Sequence, residues 1–227
     1  MAVLSAGAAG ALADLDSEPI RRRIADYYTS KVKRFGCTPF GVDWTCIATQ
    51  EMRFVQLLKL CNLSLPFTMN DLGCGYGAMV GFLQRQYSAC NIDYLGVDLS
   101  KEMVRRARRQ WRRVERVRFV EGYHSPRTAD YSVASGIFNV RQAESHDSWE
   151  AFIRETLQHL AATSSRGFAV NFVEAFPCGE RGVPGLYTTT PEPWIGFCVD
   201  HIGADVEVIE GYGMREFSLL VRPRRCG

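Results

Sequence analysis

The segment 67–80 constrains the fold more than any other part of this 227-residue chain. It reads FTMNDLGCGYGAMV: a short apolar run ends at Asp71, glycines follow on alternate positions, and apolar residues at helical spacing continue to about Tyr87. Glycine has no Cβ, so it lets the backbone bend sharply and lets a ligand approach closely. The segment therefore predicts a strand, a glycine turn and a helix, which is how an open α/β sheet binds a nucleotide-like ligand.

Two kinds of cofactor loop fit this glycine turn. A dinucleotide-binding loop, Gly-x-Gly-x-x-Gly/Ala, is matched loosely by Gly73, Gly75 and Ala78. The run Asp71-Leu-Gly-Cys-Gly-Tyr-Gly77 instead resembles, position by position, a motif of the class I methyltransferases that use S-adenosyl-L-methionine (SAM). That family carries an acidic residue followed by Gly-x-Gly-x-Gly.

A second motif favours the SAM-dependent family. The run Asp93-Tyr-Leu-Gly-Val-Asp98 predicts another strand, and Leu-Ser-Lys-Glu-Met103 follows it. An acidic residue at the end of a second strand can accept hydrogen bonds from both ribose hydroxyls of a nucleotide. Together these residues resemble the second SAM-binding segment of the family, and the resemblance covers roughly residues 65–222.

The rest of the chain alternates strands with helices, which predicts an α/β fold: a Rossmann-like, seven-stranded, mostly parallel sheet with helices on both faces. The last two strands flank a Gly-Tyr-Gly turn and predict a C-terminal antiparallel hairpin, as in the methyltransferase sheet. The predicted strands are 67–72, 93–97, 117–121, 130–135, 167–173, 205–210 and 216–222. The predicted helices of this core are 78–87, 101–113, 147–161 and about 191–202.

The chain divides into residues 1–65, an N-terminal helical cover over the active site, and residues 66–227, the SAM-binding core. Ser17 is a plausible cap for a first helix that runs to about residue 34, and the residues before Ser17 form a loose tail or a weak helix. Glycine and proline interrupt the pattern over 35–44, and a second helix spans about 45–60. The residues of this second helix expected to face inward are Met52, Val55 and Leu58.

The resemblance implies a set of cofactor contacts. Asp71 would hold the methionine ammonium group and Asp98 the ribose, while Tyr123, where many relatives carry an acidic residue, could stack on the adenine. Aromatic residues of the cover would face the sulfonium through cation–π interactions, with simple core packing as the alternative. The expected cofactor-binding residues are Asp71, Gly73, Gly75, Gly77, Asp98, Leu99, Met103, Gly122, Tyr123, Ser135, Tyr28, Lys31 and Trp44.

Catalytic candidates follow the predicted fourth strand and the third. Asn139 and Arg141 lie where the carboxyl ends of parallel strands meet a ligand, although loop capping is an alternative role for Asn139. Tyr187 lies in a loop long enough to close over a site, with packing as its alternative. His124 is the best placed of the four histidines to act as a base, although a lone histidine is usually structural.

The composition of the chain limits the classes of binding partner that we expect. The net charge of +2 gives no strong attraction to nucleic acid or to a membrane, and no apolar run reaches membrane-spanning length. The eight cysteines show neither Cys-x-x-Cys nor zinc-ligand spacing, so we expect no metal and a reducing cytoplasmic location. The arginine-rich stretch 105–118 fits a nucleic-acid surface or a solvated helix face. We favour the solvated face, because Trp111 is the only aromatic residue placed to stack on bases.

These observations predict an enzyme, a SAM-dependent methyltransferase that modifies oxygen or nitrogen of a small molecule and acts as a monomer or homodimer. Three alternatives stay open. A SAM-consuming cyclase would use the amine of SAM as its own nucleophile and release methylthioadenosine with azetidine-2-carboxylate. An RNA methyltransferase would use the arginine-rich stretch. A non-catalytic SAM-binding or RNA-binding module would rest on that stretch alone.

Overall fold

The computed structural model describes residues 6–177 and 182–224, with the backbone alone for residues 6–16. Seven strands form one sheet in the order β3-β2-β1-β4-β5-β7-β6. The strands are β1 (Phe67–Leu72), β2 (Ile92–Asp98), β3 (Val117–Glu121), β4 (Ala129–Ala134), β5 (Ser164–Val173), β6 (Ala204–Ile209) and β7 (Glu216–Pro223).

The sheet is parallel from β3 to β5 and antiparallel at β7, which pairs with both β5 and β6. This arrangement confirms the predicted Rossmann-like sheet with its C-terminal hairpin. The central strands were recognisable because parallel strands are covered on both faces and therefore read as apolar runs. In β1, five of the six residues are buried.

Helices cover both faces of the sheet, as predicted. One face packs against α1, α5 and α6, and the other packs against α2, α3 and α4. The helices are α1 (Ala6–Phe35), α2 (Ile47–Leu58), α3 (Ala78–Gln86), α4 (Lys101–Gln110), α5 (His146–Ala162) and α6 (Glu192–Phe197). A 3-10 helix, Pro39–Val42, lies between α1 and α2, and a π-helical turn, Cys198–Ile202, continues α6. None of the helices in the described part of the chain combines the length and apolar character needed to cross a bilayer.

The first helix starts earlier than predicted. α1 begins at Ala6, so Ser17 lies inside the helix and does not cap it. The Ser17 hydroxyl instead donates a 2.6 Å hydrogen bond to Glu155 of α5. Alanine and leucine dominate residues 6–16, and their high helix propensity extends the helix in the N-terminal direction.

The buried face of α2 also differs from the prediction. Met52 and Val55 are 40% and 36% exposed, so the prediction that they face inward was wrong, whereas Leu58 is buried as expected. The buried face instead carries Arg53 and Leu57, which are four residues apart. Arg53 lies inside because it forms an ion pair with Glu216 at the start of β7, a partner that helical periodicity alone does not reveal.

The arginine-rich stretch is held largely by local partners. Arg105 and Arg106 both pair with Glu102 one turn earlier, and the Arg108 guanidinium donates to the backbone carbonyl of Phe119. Arg118 pairs with Asp93 on the neighbouring strand. These contacts agree with the solvated-face interpretation of this stretch.

Candidate active site

A cavity lies beyond the carboxyl ends of β1, β2 and β4 and encloses about 1060 Å³ of empty space, including its mouth. Its floor comes from the loops after these strands, and its cover comes from α1 and the segment leading into α2. Ligands of open α/β sheets bind in the crevice outside the carboxyl ends of the strands, so this cavity is the candidate ligand site.

The glycine turn after β1 forms part of the floor. Gly73 and Gly75 line the cavity with φ angles of +74° and +56°, a region that favours glycine. A Cβ at Gly73 would overlap the Ile137 side chain, and one at Gly75 would lie 3.2 Å from Val42. Both residues therefore have to be glycine for the loop to pass this close to the site.

Gly77 belongs to the same motif, but it has to be glycine for a different structural reason. It precedes α3 with φ +80° and does not line the cavity. A Cβ at Gly77 would lie 2.6 Å from Nε1 of Trp111. Packing of α3 against this indole thus accounts for the third glycine.

Two aspartates, Asp71 and Asp98, line the cavity at the ends of β1 and β2. Tyr94 donates a 2.5 Å hydrogen bond to Asp71, while Asp98 accepts 2.8 Å bonds from the backbone N–H groups of Gly75 and Ser100. Burial raises the pKa of Asp71 to about 7 and the pKa of Asp98 to about 6. Hydrogen bonds oppose this rise, and a ligand that brings positive charge would favour both anionic forms.

Next to these carboxyl groups lies a lobe lined by the residues after β2 and β3 and by α5. Leu99, Met103, Gly122, Tyr123 and His124 all line the cavity here, and their roles in cofactor binding or catalysis stay a prediction. Tyr123 is 38% exposed, which leaves part of its ring free to stack on a planar ligand.

His124 occupies the same lobe in a cluster of side chains from α1 and α5. Its imidazole stacks on His159 with ring centroids 3.9 Å apart, and its Nε2 lies 3.8 Å from Glu155. Glu155 also binds Arg21 of α1, whose guanidinium lies 3.9 Å from the centroid of the Tyr123 ring. The cluster thus connects the cover to the wall of the cavity.

Ser135, at the end of β4, also lines the cavity. Its Oγ is buried and has no hydrogen-bond partner among the described residues. A buried hydroxyl without a partner is costly, so a ligand atom is the natural partner for this group. Together with the two carboxyl groups and the glycine turn, it fits a ligand with amine, ribose and purine groups.

Residues of the cover line the same cavity. Tyr28, Val42, Trp44 and Gln50 come from the cover and Tyr76 comes from the glycine turn, and we call the part of the cavity lined by these five residues the aromatic lobe. Gln50 is buried, and the Tyr76 hydroxyl lies 3.4 Å from its Oε1.

Lys31, predicted to join Tyr28 and Trp44 at the cofactor, is not among the residues that line the cavity. Its ammonium group lies 2.6 Å from Asp43. It therefore ties the C-terminal part of α1 to the segment before α2.

Three of the four predicted catalytic residues lie outside the cavity. The Asn139 side chain is buried behind Gly136, and its backbone carbonyl accepts a 2.8 Å hydrogen bond from the backbone N–H of Tyr187. The hydroxyl of Tyr187 donates to Glu150 at 3.2 Å, and Arg141 donates to a backbone carbonyl in its own loop. The structure therefore brings His124 alone of the four into the cavity.

Sequence reasoning missed several lining residues on two helices. On α1 they recur at helical spacing, which is the signal that could have found them. On α5 the spacing is similar, but nothing in the sequence indicates which face of the helix meets the site. The missed residues are Arg21, Ile24, Ala25, Phe152, Glu155 and Thr156.

Comparisons with known proteins agree with this geometry. A family model described as a methyltransferase domain matches residues 70–163. A Mycobacterium tuberculosis (strain ATCC 25618 / H37Rv) protein that carries the name methyltransferase is 38% identical over 165 residues, which span 73% of this chain and 98% of the relative.

Many solved structures share the fold, and two of them are methyltransferases with a bound cofactor or its product. Magnesium protoporphyrin IX methyltransferase from Synechocystis PCC 6803, with bound SAH, matches with a TM-score of 0.58 at 17% identity, over 78% of this chain and 84% of its own. Human N-acetylserotonin methyltransferase, in complex with SAM, matches with a TM-score of 0.54 at 20% identity, over 77% of this chain and 55% of its own.

Proposed function

Because this chain belongs to the SAM-dependent methyltransferase family, we propose that it transfers the methyl group of SAM to an oxygen or nitrogen atom of a small molecule. The cofactor supplies a methyl group made electrophilic by the positively charged sulfur. The protein then has to hold the cofactor, align an acceptor atom and exclude water.

In this proposal the floor of the cavity holds the cofactor. Asp71 would pair with the amino group of SAM and Asp98 with the ribose hydroxyls. Tyr123 would stack on the adenine, and the unpartnered Oγ of Ser135 would gain a hydrogen-bond partner. These roles suit the chemistry of each group, because the raised pKa of Asp71 makes its anionic form depend on a nearby cation.

The observation that carries the small-molecule proposal is the aromatic lobe, which shares one cavity with the carboxyl groups. The lobe is covered by α1 and the 3-10 helix, so an acceptor would be enclosed rather than laid across an open surface. Aromatic and apolar groups dominate its walls, with Gln50 as a neutral hydrogen-bonding group. Such a site suits a compact and largely apolar acceptor.

The aromatic lobe offers phenols rather than bases. Burial raises the pKa of Tyr76 to about 12 and also raises the pKa of Tyr28. Both hydroxyls therefore stay protonated at neutral pH and can donate hydrogen bonds but cannot remove a proton. The acceptor would have to arrive with a reactive lone pair, as a neutral amine or an ionised oxygen does, and alignment would supply the rate enhancement.

The test is to incubate the purified protein with methyl-labelled SAM, alone and with a metabolite extract separated into low-molecular-mass and RNA fractions. We expect SAH to form only when the low-molecular-mass fraction is present, with the label recovered in a small product. Asp98→Ala should abolish this transfer, whereas Asp205→Asn, which changes an exposed carboxylate on β6, should leave it unchanged.

Two results would contradict the proposal. Methylthioadenosine formed from SAM alone would mean that the cofactor itself is the substrate. Label recovered only in the RNA fraction would mean that the acceptor is a nucleic acid.

A further inference from the structure

We infer that the Trp44 indole is the wall on which a planar aromatic acceptor stacks inside the aromatic lobe. Arg53, Glu216 and Asn171, which lie behind this wall, are its positioning residues. The inference rests on the proposed methyl transfer and names the chemical class of its acceptor.

The Arg53 guanidinium covers one face of the indole. Its Cζ lies 3.7 Å from the centroid of the Trp44 ring. The same guanidinium donates to both carboxylate oxygens of Glu216, with Nε to Oε2 at 2.7 Å, and to the backbone carbonyl of Thr49 at 2.7 Å. A planar guanidinium held by a two-point bond to a carboxylate has little freedom to rotate. The indole therefore rests on a rigid surface.

The polar chain continues from Glu216 to the floor of the cavity. Asn171 of β5 donates a 3.0 Å hydrogen bond to Oε2 of Glu216 and accepts a 2.8 Å bond from the backbone N–H of Gly136. Gly136 lies against the edge of the indole, because a Cβ there would overlap its Cζ2. The chain thus contacts Trp44 twice, on its face through Arg53 and at its edge through Gly136.

The charged side chains of this network are unusually deeply buried. The side chains of Arg53 and Glu216 are 7% and 5% exposed, and Asn171 is fully buried. A buried ion pair gains little net stability over an apolar pair of similar size, because both ions lose their hydration. What the pair does provide here is a fixed orientation for the aromatic wall of the cavity.

The cation behind the indole also selects what stacks in front of it. Arg53 already uses the negative π-face of Trp44, so a second cation such as the cofactor sulfonium gains less from this ring than the sequence suggested. A neutral or electron-rich aromatic ring carries no such penalty and stacks favourably. We therefore assign Trp44 to the acceptor rather than to the cofactor.

The experiment uses two probes that differ in planarity and share a hydroxyl group, 2-naphthol and decahydro-2-naphthol. Binding of each to the SAH-loaded protein is measured by titration calorimetry. We expect 2-naphthol to bind about 3- to 10-fold more tightly, the range that aromatic stacking supplies. Burial of apolar area alone would not favour the planar probe, so this ratio reports stacking.

Three variants test which residues cause the preference for the planar probe. Trp44→Leu should abolish the planar preference, and the double variant Arg53→Met/Glu216→Gln should reduce it while SAH affinity stays unchanged. The matched control is Arg85→Met/Glu51→Gln, which removes an ion pair between α3 and the outer side of α2 and should keep the full preference. A merely structural role for Arg53 and Glu216 would lower thermal stability without changing the ratio of the two probes.

Equal or undetectable binding of the two probes to the SAH-loaded wild-type protein would overturn the inference and leave the proposed methyl transfer standing. A planar preference that survives in Trp44→Leu would also overturn it. Failure of the wild-type protein to bind SAH would instead refute the proposed function, and the inference with it.

Discussion

The buried pair formed by Arg53 and Glu216 makes a quantitative prediction about stability. Arg53→Met leaves the Glu216 carboxylate buried with Asn171 as its remaining partner, and Glu216→Gln leaves the guanidinium without its counter-ion. Removing one partner of a buried ion pair costs about 3–5 kcal/mol, because the other charge stays desolvated and uncompensated. We therefore expect each single variant to lose about that much free energy of unfolding.

The double variant Arg53→Met/Glu216→Gln should behave differently. Methionine fills much of the volume of the arginine side chain, and glutamine can keep a hydrogen bond with Asn171. With both charges gone, the expected loss is about 0–2 kcal/mol. The two single changes would then be non-additive by roughly 4 kcal/mol or more, a large coupling for one pair of residues.

Urea unfolding of the wild-type protein, both single variants and the double variant measures this coupling. The exposed pair of Arg85 and Glu51, on the same helix α2 and its neighbour α3, provides the reference cycle. Its coupling should not exceed about 1 kcal/mol, because exposed ion pairs contribute little. If the Arg53–Glu216 cycle gave a coupling as small as the reference, the desolvation argument would be refuted.

Four further predictions concern the floor of the cavity. Gly73→Ala should weaken SAH binding by more than about 10-fold, because of strain at positive φ and overlap with Ile137. Adding Ile137→Ala should restore part of the affinity. Calorimetry that found no loss of affinity in Gly73→Ala would contradict this. SAH affinity should fall as the pH is lowered from about 8 to about 5, because the pKa of Asp98 is raised to about 6 and the pKa of Asp71 to about 7. An Asp71→Asn variant should lose the part of this dependence near pH 7 and keep the part near pH 6, and a flat wild-type profile would exclude this role. The raised pKa of Asp71 means that the folded state holds a proton which the unfolded state releases. The ligand-free protein should therefore lose stability as the pH rises from about 4 to about 7. In thermal melts, the melting temperature should change less with pH for Asp71→Asn than for the wild-type protein. Ser135→Ala should weaken SAH binding by about 3- to 10-fold with no loss of ligand-free stability, since its Oγ has no partner among the described residues; equal SAH affinity in the two proteins would refute a cofactor contact.

The parts of the fold that could be predicted are those whose signal is local in sequence. The predicted β1 and β3 match the observed bounds, because each is an apolar run ended by a turn or a charged residue. The cavity-lining positions of the glycine turn and Asp98 were equally accessible, since these residues lie at the ends of their own strands. In an open α/β sheet the carboxyl ends of the strands meet the ligand crevice.

The residues that were misplaced depend on contacts distant in sequence. Asn139 follows β4 as closely as Ser135 does, yet Gly136, with φ +71°, turns the chain so that Asn139 lies behind the wall. Tyr187 was expected over the site but is anchored to Glu150 of α5. A tertiary contact thus directs the Tyr187 side chain and a positive-φ turn directs Asn139, and no spacing in the sequence encodes either.

The residues that could be predicted from local sequence and those that could not belong to different parts of the proposed site. The family model covers residues 70–163, which contain the carboxyl groups, the glycine turn and the wall around Tyr123. Four of the five residues of the aromatic lobe, Tyr28, Val42, Trp44 and Gln50, precede that match. The cradle proposed for SAM therefore lies within what this chain shares with a broad family, whereas the surface proposed for the acceptor is built mainly by its N-terminal cover. It follows that exchanging residues 1–65 between relatives should change acceptor preference while SAH affinity is largely retained.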